Sequence, residues 1–255
     1  MKKILLLLFL AAGFANVYAQ DERLDELPFK EEETIEEKVP YFGLGGGFTG
    51  TYLLLNNDEL NKYALENGFA ELGKPFLTGG QGFTGIPWIK NMRIGLTGFG
   101  GSQSKSIIKK DTANNIDVAK KIEQQISNIG LSLGYGIVVT KSLAIIPEVT
   151  FSSASHRIIF SQTTVRDFDF VNDKPNSISS IVNSLNNSFI AITPAVNIEW
   201  AATNFLMLRA SAGYNYQVTN SWKWNGEQTL NNVPSALNTN GVFAQFGFFL
   251  GLFNY

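Results

Sequence analysis

The chain has 255 residues, 44% of them hydrophobic and 16% charged, with a net charge of −2 and no cysteine. So small a charge imbalance argues against nucleic acid as a partner. Without cysteine there is no disulfide frame, thiolate metal site or thiol nucleophile, and no catalytic, cofactor-binding or metal-ligating set is assigned from the residue pattern.

The first residues read "MKKILLLLFLAAGFANVYAQ", a basic start, a short apolar run and small residues at Val17 and Ala19. That is the pattern of a secretory leader over 1–19, cut after Ala19; the apolar run is short for a helix that needs about 20 residues to span a bilayer. Between Asp21 and Lys38 stand nine acids and three bases. Residues 20–40 therefore read as an acidic, solvated periplasmic tail.

From Tyr41 onward apolar and polar residues alternate in runs separated by turn residues, the signature of strands. The expected strands are 41–54, 76–88, 92–104, 126–139, 142–158, 188–200, 205–219 and 240–255. In 128–139, "NIGLSLGYGIVV", Ile129, Leu131, Leu133 and Tyr135 alternate with Gly130, Ser132, Gly134 and Gly136. Connections 89–91, 140–141 and 201–204 are short, whereas 55–75, 105–125, 159–187 and 220–239 are long and polar. This alternation and the even strand count point to an all-β, eight-stranded antiparallel transmembrane up-and-down barrel over 41–255, with its long loops at one end. Lipid leaves no backbone group unpaired, so such a sheet must close. A short helix is expected at 56–72 in the first long loop, with Asn57 as its cap. Trp88 and Trp200 fall at the short-turn end, where amphipathic rings favour the interface. Pro147 and Pro194 lie inside strands and read as bulge markers.

On this pattern the chain resembles the small eight-stranded outer-membrane β-barrel superfamily of Gram-negative bacteria, a group that includes barrel domains widespread in Bacteroidota. The final "GLFNY", with Tyr255, Phe253 and Phe249 at alternate positions, is similar to the terminal signal read by the barrel assembly machinery in such proteins. The better lipid face of that strand is the other parity, Val242 to Leu252, so either a bulge near Phe248 and Phe249 shifts the register or the signal is imperfect. The resemblance implies outer-membrane residence, insertion by that machinery, contact with the lipid bilayer and a monomer.

Four charges take the inward parity, Arg93, Glu148, Glu199 and Arg209, and an eight-stranded barrel is just wide enough for side chains to fill. An internal ion-pair network is expected, with an ion or ligand path as the other reading. His156, with Ser152 and Glu148 on its parity, raises lipid-modifying catalysis. Yet same-face residues two and four positions apart lie roughly 7 and 14 Å apart along a strand, and no partner is set by sequence. "GFTG" occurs at 47–50 and 82–85, and "LTGFGG" at 96–101. Gly47, Gly50, Gly82, Gly85 and Gly98 are read as a glycine wall against which the loop helix packs, or as residues serving curvature alone. Loops 159–187 and 220–239, with Trp222 and Trp224 as exposed aromatics, are the expected contact surface for a protein partner outside the cell or in the periplasm. The expectation is a non-enzymatic surface or envelope protein; a lipid-modifying enzyme, or a narrow pore or carrier of small hydrophobic ligands, remain as alternatives.

Overall fold

The computed structural model describes residues 41–111, 115–167 and 180–254. The expected leader, acidic tail and terminal Tyr255 lie outside the described residues. The elements in chain order are β1 (Phe42–Leu55), α1 (Asp58–Glu66), β2 (Phe76–Gly85), β3 (Met92–Asp111), β4 (Ile116–Tyr135) and β5 (Ile137–Thr140). β6 (Leu143–Thr164), β7 (Ser180–Ala201), β8 (Leu206–Gln217), β9 (Trp222–Trp224), β10 (Gln228–Thr229) and β11 (Gly241–Asn254) follow, with a 3-10 turn at Ser235–Leu237. All pairings are antiparallel and join neighbours around a closed ring, β1-β2-β3-β4-β6-β7-β8-β11 and back to β1. β4 and β5 form one wall, broken at Gly136, where a side chain would collide with the Tyr41 ring at 2.4 Å. The barrel thus has eight walls, and β9 and β10 form a small ribbon on the upper part of β7.

The turns at 86–91, 141–142 and 202–205 lie at one end, where Phe42 pairs with Asn254. In barrels of this kind that end is periplasmic. Near it, outward residues are apolar and inward ones small, polar or aromatic. On β4, Ile129, Leu131, Leu133 and Tyr135 are exposed while Gly130, Ser132 and Gly134 are buried. β8 and β11 repeat the arrangement, with Leu208, Tyr214, Phe246 and Leu250 outside and Arg209, Ser211 and Gln245 inside. Such an exterior is stable only against hydrocarbon.

Higher up, the two faces exchange character. On β4 the outward positions become Ser127, Gln125, Glu123 and Lys121, while Ile126, Ile122 and Val118 are buried. On β6 the outward residues change from Val149 and Phe151 to Ser153, Ser155 and Arg157, and the inward set runs Ala154, His156, Ile158, Phe160. A polar skin around an apolar interior is the arrangement for water. The strands therefore rise out of the membrane as one continuous sheet and change solvent between Ile129 and Ser127 on β4 and between Phe151 and Ser153 on β6. Replacing Leu131 with arginine should cost about 2–4 kcal/mol, the penalty for a charge on the lipid face near mid-membrane. The same change at Ser127, on the same face four residues higher, should cost less than about 1 kcal/mol. Urea titrations of both variants in lipid vesicles measure the contrast, and equal losses would remove the boundary.

Several sequence expectations are corrected by this arrangement. The polar stretches 105–125 and 159–187 are not loops throughout: β3 and β4 run on to Asp111 and from Ile116, and β6 and β7 run to Thr164 and from Ser180. β2 ends at Gly85 rather than at 88, and the helix is shorter than expected, with Asn57 bonding Gly73 O at 2.7 Å instead of capping it by its side chain. Pro147 and Pro194 make no bulge: Pro147 faces Val196 and Val149 faces Pro194 in an unbroken β6–β7 register. No bulge shifts β11 either, since its pairings with β1 and β8 are continuous through Phe248 and Phe249. Its lipid face is Val242, Ala244, Phe246, Phe248, Leu250 and Leu252, while Phe249 and Phe253 are buried inside.

Candidate functional site

From the periplasmic end upward, the interior is a stack of closed layers. At the bottom Arg93 from β3 lies 2.6 Å from Glu148 of β6 and also pairs with Glu199 of β7, which Arg209 of β8 approaches at 2.8 Å. Tyr41 accepts a hydrogen bond from Arg93 Nη1 at 3.1 Å and donates one to Glu199 at 3.2 Å. The guanidiniums rest on aromatic faces, Arg93 at 4.6 Å from the Phe83 centroid and Arg209 at 4.0 Å from that of Phe249. All four charges are buried in the layer formed by Phe83, Ile146, Met207, Phe249 and Phe253. The structure thus brings the four inward charges together on four different walls.

Above them Arg209 Nη1 donates to Gln81 at 2.7 Å, Gln81 to Thr97 at 3.1 Å, and Gln245 to Thr51 at 2.7 Å. The largest spaces left at this level are cavities of about 30 and 20 Å³. Each has room for a water molecule, not a path for solute. Leu53, Leu55, Leu77, Ile126 and Phe243 close the next layer.

The outer mouth is sealed by the loop helix and the β9–β10 ribbon. α1 buries Leu60 and Ala64 against Ile122 of β4, Ile158 and Phe160 of β6, and Trp222 of β9. Phe160 takes Tyr63 and Phe69 on its face at centroid distances of 5.6 and 5.1 Å, both nearly perpendicular. His156 lies beneath this cap. Its Nε2 is 2.9 Å from Gln124 Nε2, so the neutral ring nitrogen accepts there, and its edge meets Trp222 at 5.7 Å. Ser152, also buried, makes no hydrogen bond through Oγ, and Glu148 is held by Arg93. His156, Ser152 and Glu148 share a parity but are not joined by the hydrogen bonds a catalytic triad needs.

Two clefts open outward at the cap. One, of about 360 Å³, lies between α1 and the segment after β10; Leu60, Tyr63, Leu185, Trp224, Val233 and Leu237 supply its apolar walls, and Glu59, Lys62 and Glu66 also line it. The other, of about 460 Å³, shares Leu230 to Pro234 with the first and is lined by amides and hydroxyls, among them Asn220, Asn231, Asn238, Gln217 and Ser235. An apolar wall beside a field of amides suits a ligand with one greasy and one hydrogen-bonding part.

Two groups of sequence candidates are placed differently from expectation. Trp222 is not an exposed contact residue: it pairs with Asn187 and is buried in the cap, while Trp224, two residues on, lines the apolar cleft. The glycines form no single wall. Gly47 and Gly85 take the inward parity and Gly50, Gly82 and Gly98 the outward one, because residues three apart on a strand leave opposite faces. At Gly47 a side chain would lie 2.1 Å from Phe248 O and 2.7 Å from the Phe249 ring, so glycine there admits the neighbouring strand. α1 packs on the isoleucines above instead. The cleft residues Tyr63, Leu230, Val233 and Leu237 escaped the sequence reading. Only the apolar spacing Leu230, Val233, Leu237 within an Asn-rich stretch marked them.

Fold and interior define an outer-membrane β-barrel with a filled lumen. No protein-family model matches the chain, and no curated protein matches it. Among solved structures, it is similar to a major outer membrane protein from Thermus thermophilus, at 9% identity over 82% of this chain and 99% of that one, with a TM-score of 0.45. The attachment invasion locus protein Ail of Yersinia pestis, solved in complex with the heparin analogue sucrose octasulfate, matches at 6% identity over 85% and 99%, TM-score 0.36. CarO of Acinetobacter baumannii matches at 11% identity over 84% and 98%, TM-score 0.34.

Proposed function

We propose that this protein is a monomeric, non-enzymatic outer-membrane barrel that binds an external ligand through its cap and does not pass solute. It reaches the membrane after loss of residues 1–19 and insertion by the barrel assembly machinery, with the acidic segment 20–40 left in the periplasm. The observation that carries the reading is the pair of adjoining clefts at the outer mouth, set above a lumen filled with charges, amides and aromatic rings. The ligand places an apolar or aromatic group against Tyr63 and Trp224 and hydrogen-bonding groups against the neighbouring amides. The burial of His156 under Trp222 supports a structural role for that histidine, and the neutralised set Arg93, Glu148, Glu199 and Arg209 supports a structural role for the lumen.

Two measurements test this. In planar bilayers the full chain is expected to give no stable, large channel; one would overturn the closed lumen. Membrane vesicles bearing the full chain are then screened on immobilised glycans and peptides beside a Tyr63→Ser/Trp224→Ser variant. Ligands retained by the wild type should be lost at least about tenfold in the variant, the worth of one or two aromatic contacts at a binding centre. Equal retention by both proteins would remove the cap from the function.

A further inference from the structure

A third depression lies on the outer wall, away from the cap. It measures about 500 Å³ and is lined by Gly100 and Ser102 of β3, Gln125 and Ser127 of β4, and Ser155 and Arg157 of β6, together with Gly101 and Ile126. Its height is set by the strand register. The row Gly101–Ile126–His156 crosses it, three residues above the row Gly98–Ile129–Ser153, where the last apolar residue of β4 faces lipid. Three residues are about 10 Å along a strand and, at a tilt of about 45°, about 7 Å along the membrane normal. A headgroup layer is roughly 5–8 Å thick on each side of the hydrocarbon. The groove therefore opens among the outer-leaflet headgroups.

Its chemistry suits a phosphorylated sugar. Arg157 donates from Nε to Asn186 Oδ1 at 2.6 Å, and Asn186 is itself held by Ser184 at 3.1 Å, so the guanidinium is fixed with its two terminal nitrogens uncommitted. Among the described residues no carboxylate lies within ion-pair distance of it. The nearest acid on that face of β4, Glu123, is occupied by Lys121 at 2.7 Å and accepts from Gln125 Nε2 at 2.6 Å, which leaves the Gln125 carbonyl oxygen to accept from a ligand hydroxyl. A fixed guanidinium fork matches phosphate oxygens. Ser102, Ser127 and Ser155 offer hydroxyls beside it, and Gly100 leaves room for a ring to approach the wall.

We infer that this groove binds the phosphate-bearing sugar headgroup of an outer-leaflet lipid, with Arg157 on the phosphate and the serines and Gln125 on the sugar. The test uses the full chain in phosphate-free detergent and native mass spectrometry, with three probes: a diphosphorylated glucosamine-disaccharide lipid, the same lipid stripped of phosphate, and inorganic phosphate. The wild type is expected to retain the phosphorylated lipid at least tenfold better than the stripped one. Arg157→Gln should reduce that retention roughly tenfold, the worth of a charge-assisted hydrogen bond, and Ser127→Phe, which fills the groove, should abolish it. Equal retention of the two lipids, or an Arg157→Gln variant indistinguishable from wild type, overturns the proposal. So does inorganic phosphate binding alone and displacing the lipid at millimolar concentration, which marks a free-anion site. Should Arg157→Gln lower the unfolding midpoint without lipid, the Ser127→Phe arm decides.

Discussion

Replacing Glu199 with glutamine is expected to destabilise the barrel by about 3–5 kcal/mol, the cost of removing one partner from a buried charge set. Glu199 is the carboxylate shared by both guanidiniums and by the Tyr41 hydroxyl. Without its charge Arg93 keeps Glu148, but Arg209 is left with the Gln81 carbonyl and the faces of Phe83 and Phe249. A full positive charge then sits in a layer of aromatic rings with no counter-charge beside it. Arg209→Met in the Glu199→Gln background should recover most of the loss, because it removes the stranded charge. A double-mutant cycle followed by urea unfolding in lipid vesicles isolates the coupling. Additive effects, or a single loss below about 1 kcal/mol, would mean that water reaches the floor and that the layer is not dry.

The same network shows how far the sequence is legible. Glu199 stands between Ile198 and Trp200, and Arg209 between Leu208 and Ala210, so each charge announces its inward parity by interrupting an apolar alternation. Their contact is not legible, because it depends on the order and stagger of walls that sequence alone does not align. The membrane band reads clearly for a related reason: Ile129 to Tyr135 against Gly130 to Gly136 is contrast of one sign. Above Ser127 the sign reverses, with Ile122 and Ile126 inside and Lys121 to Ser127 outside. A window laid across the changeover sums to no preference, so the pattern stops where the strand only changes solvent. The repeated "GFTG" misleads through its spacing, since its glycines fall on opposite faces. In 220–239 there is no period at all, so nothing local separates buried Trp222 from half-buried Trp224.

That reversal carries the second large effect. If the apolar interior above the membrane is a core of its own, Trp222→Ala should cost about 3–5 kcal/mol there, as buried tryptophan truncations do, and leave the membrane-embedded band intact. Trp222 fills the space between His156 and the α1 residues Leu60 and Ala64, and its rung with Asn187 holds β9 on β7. Its loss frees the cap while Arg93, Glu148, Glu199 and Arg209 stay paired below. The expected result is hydrogen exchange faster by about two to three orders of magnitude in 220–239 and in α1, at about 1.4 kcal/mol per decade, with the urea midpoint of the barrel within experimental error of wild type. Trp224→Ala, on the cleft wall, should leave exchange in α1 unchanged. If instead the barrel unfolds together with the cap, the two solvents act on one cooperative unit, and the clefts at the mouth cannot change shape independently of the wall that carries them.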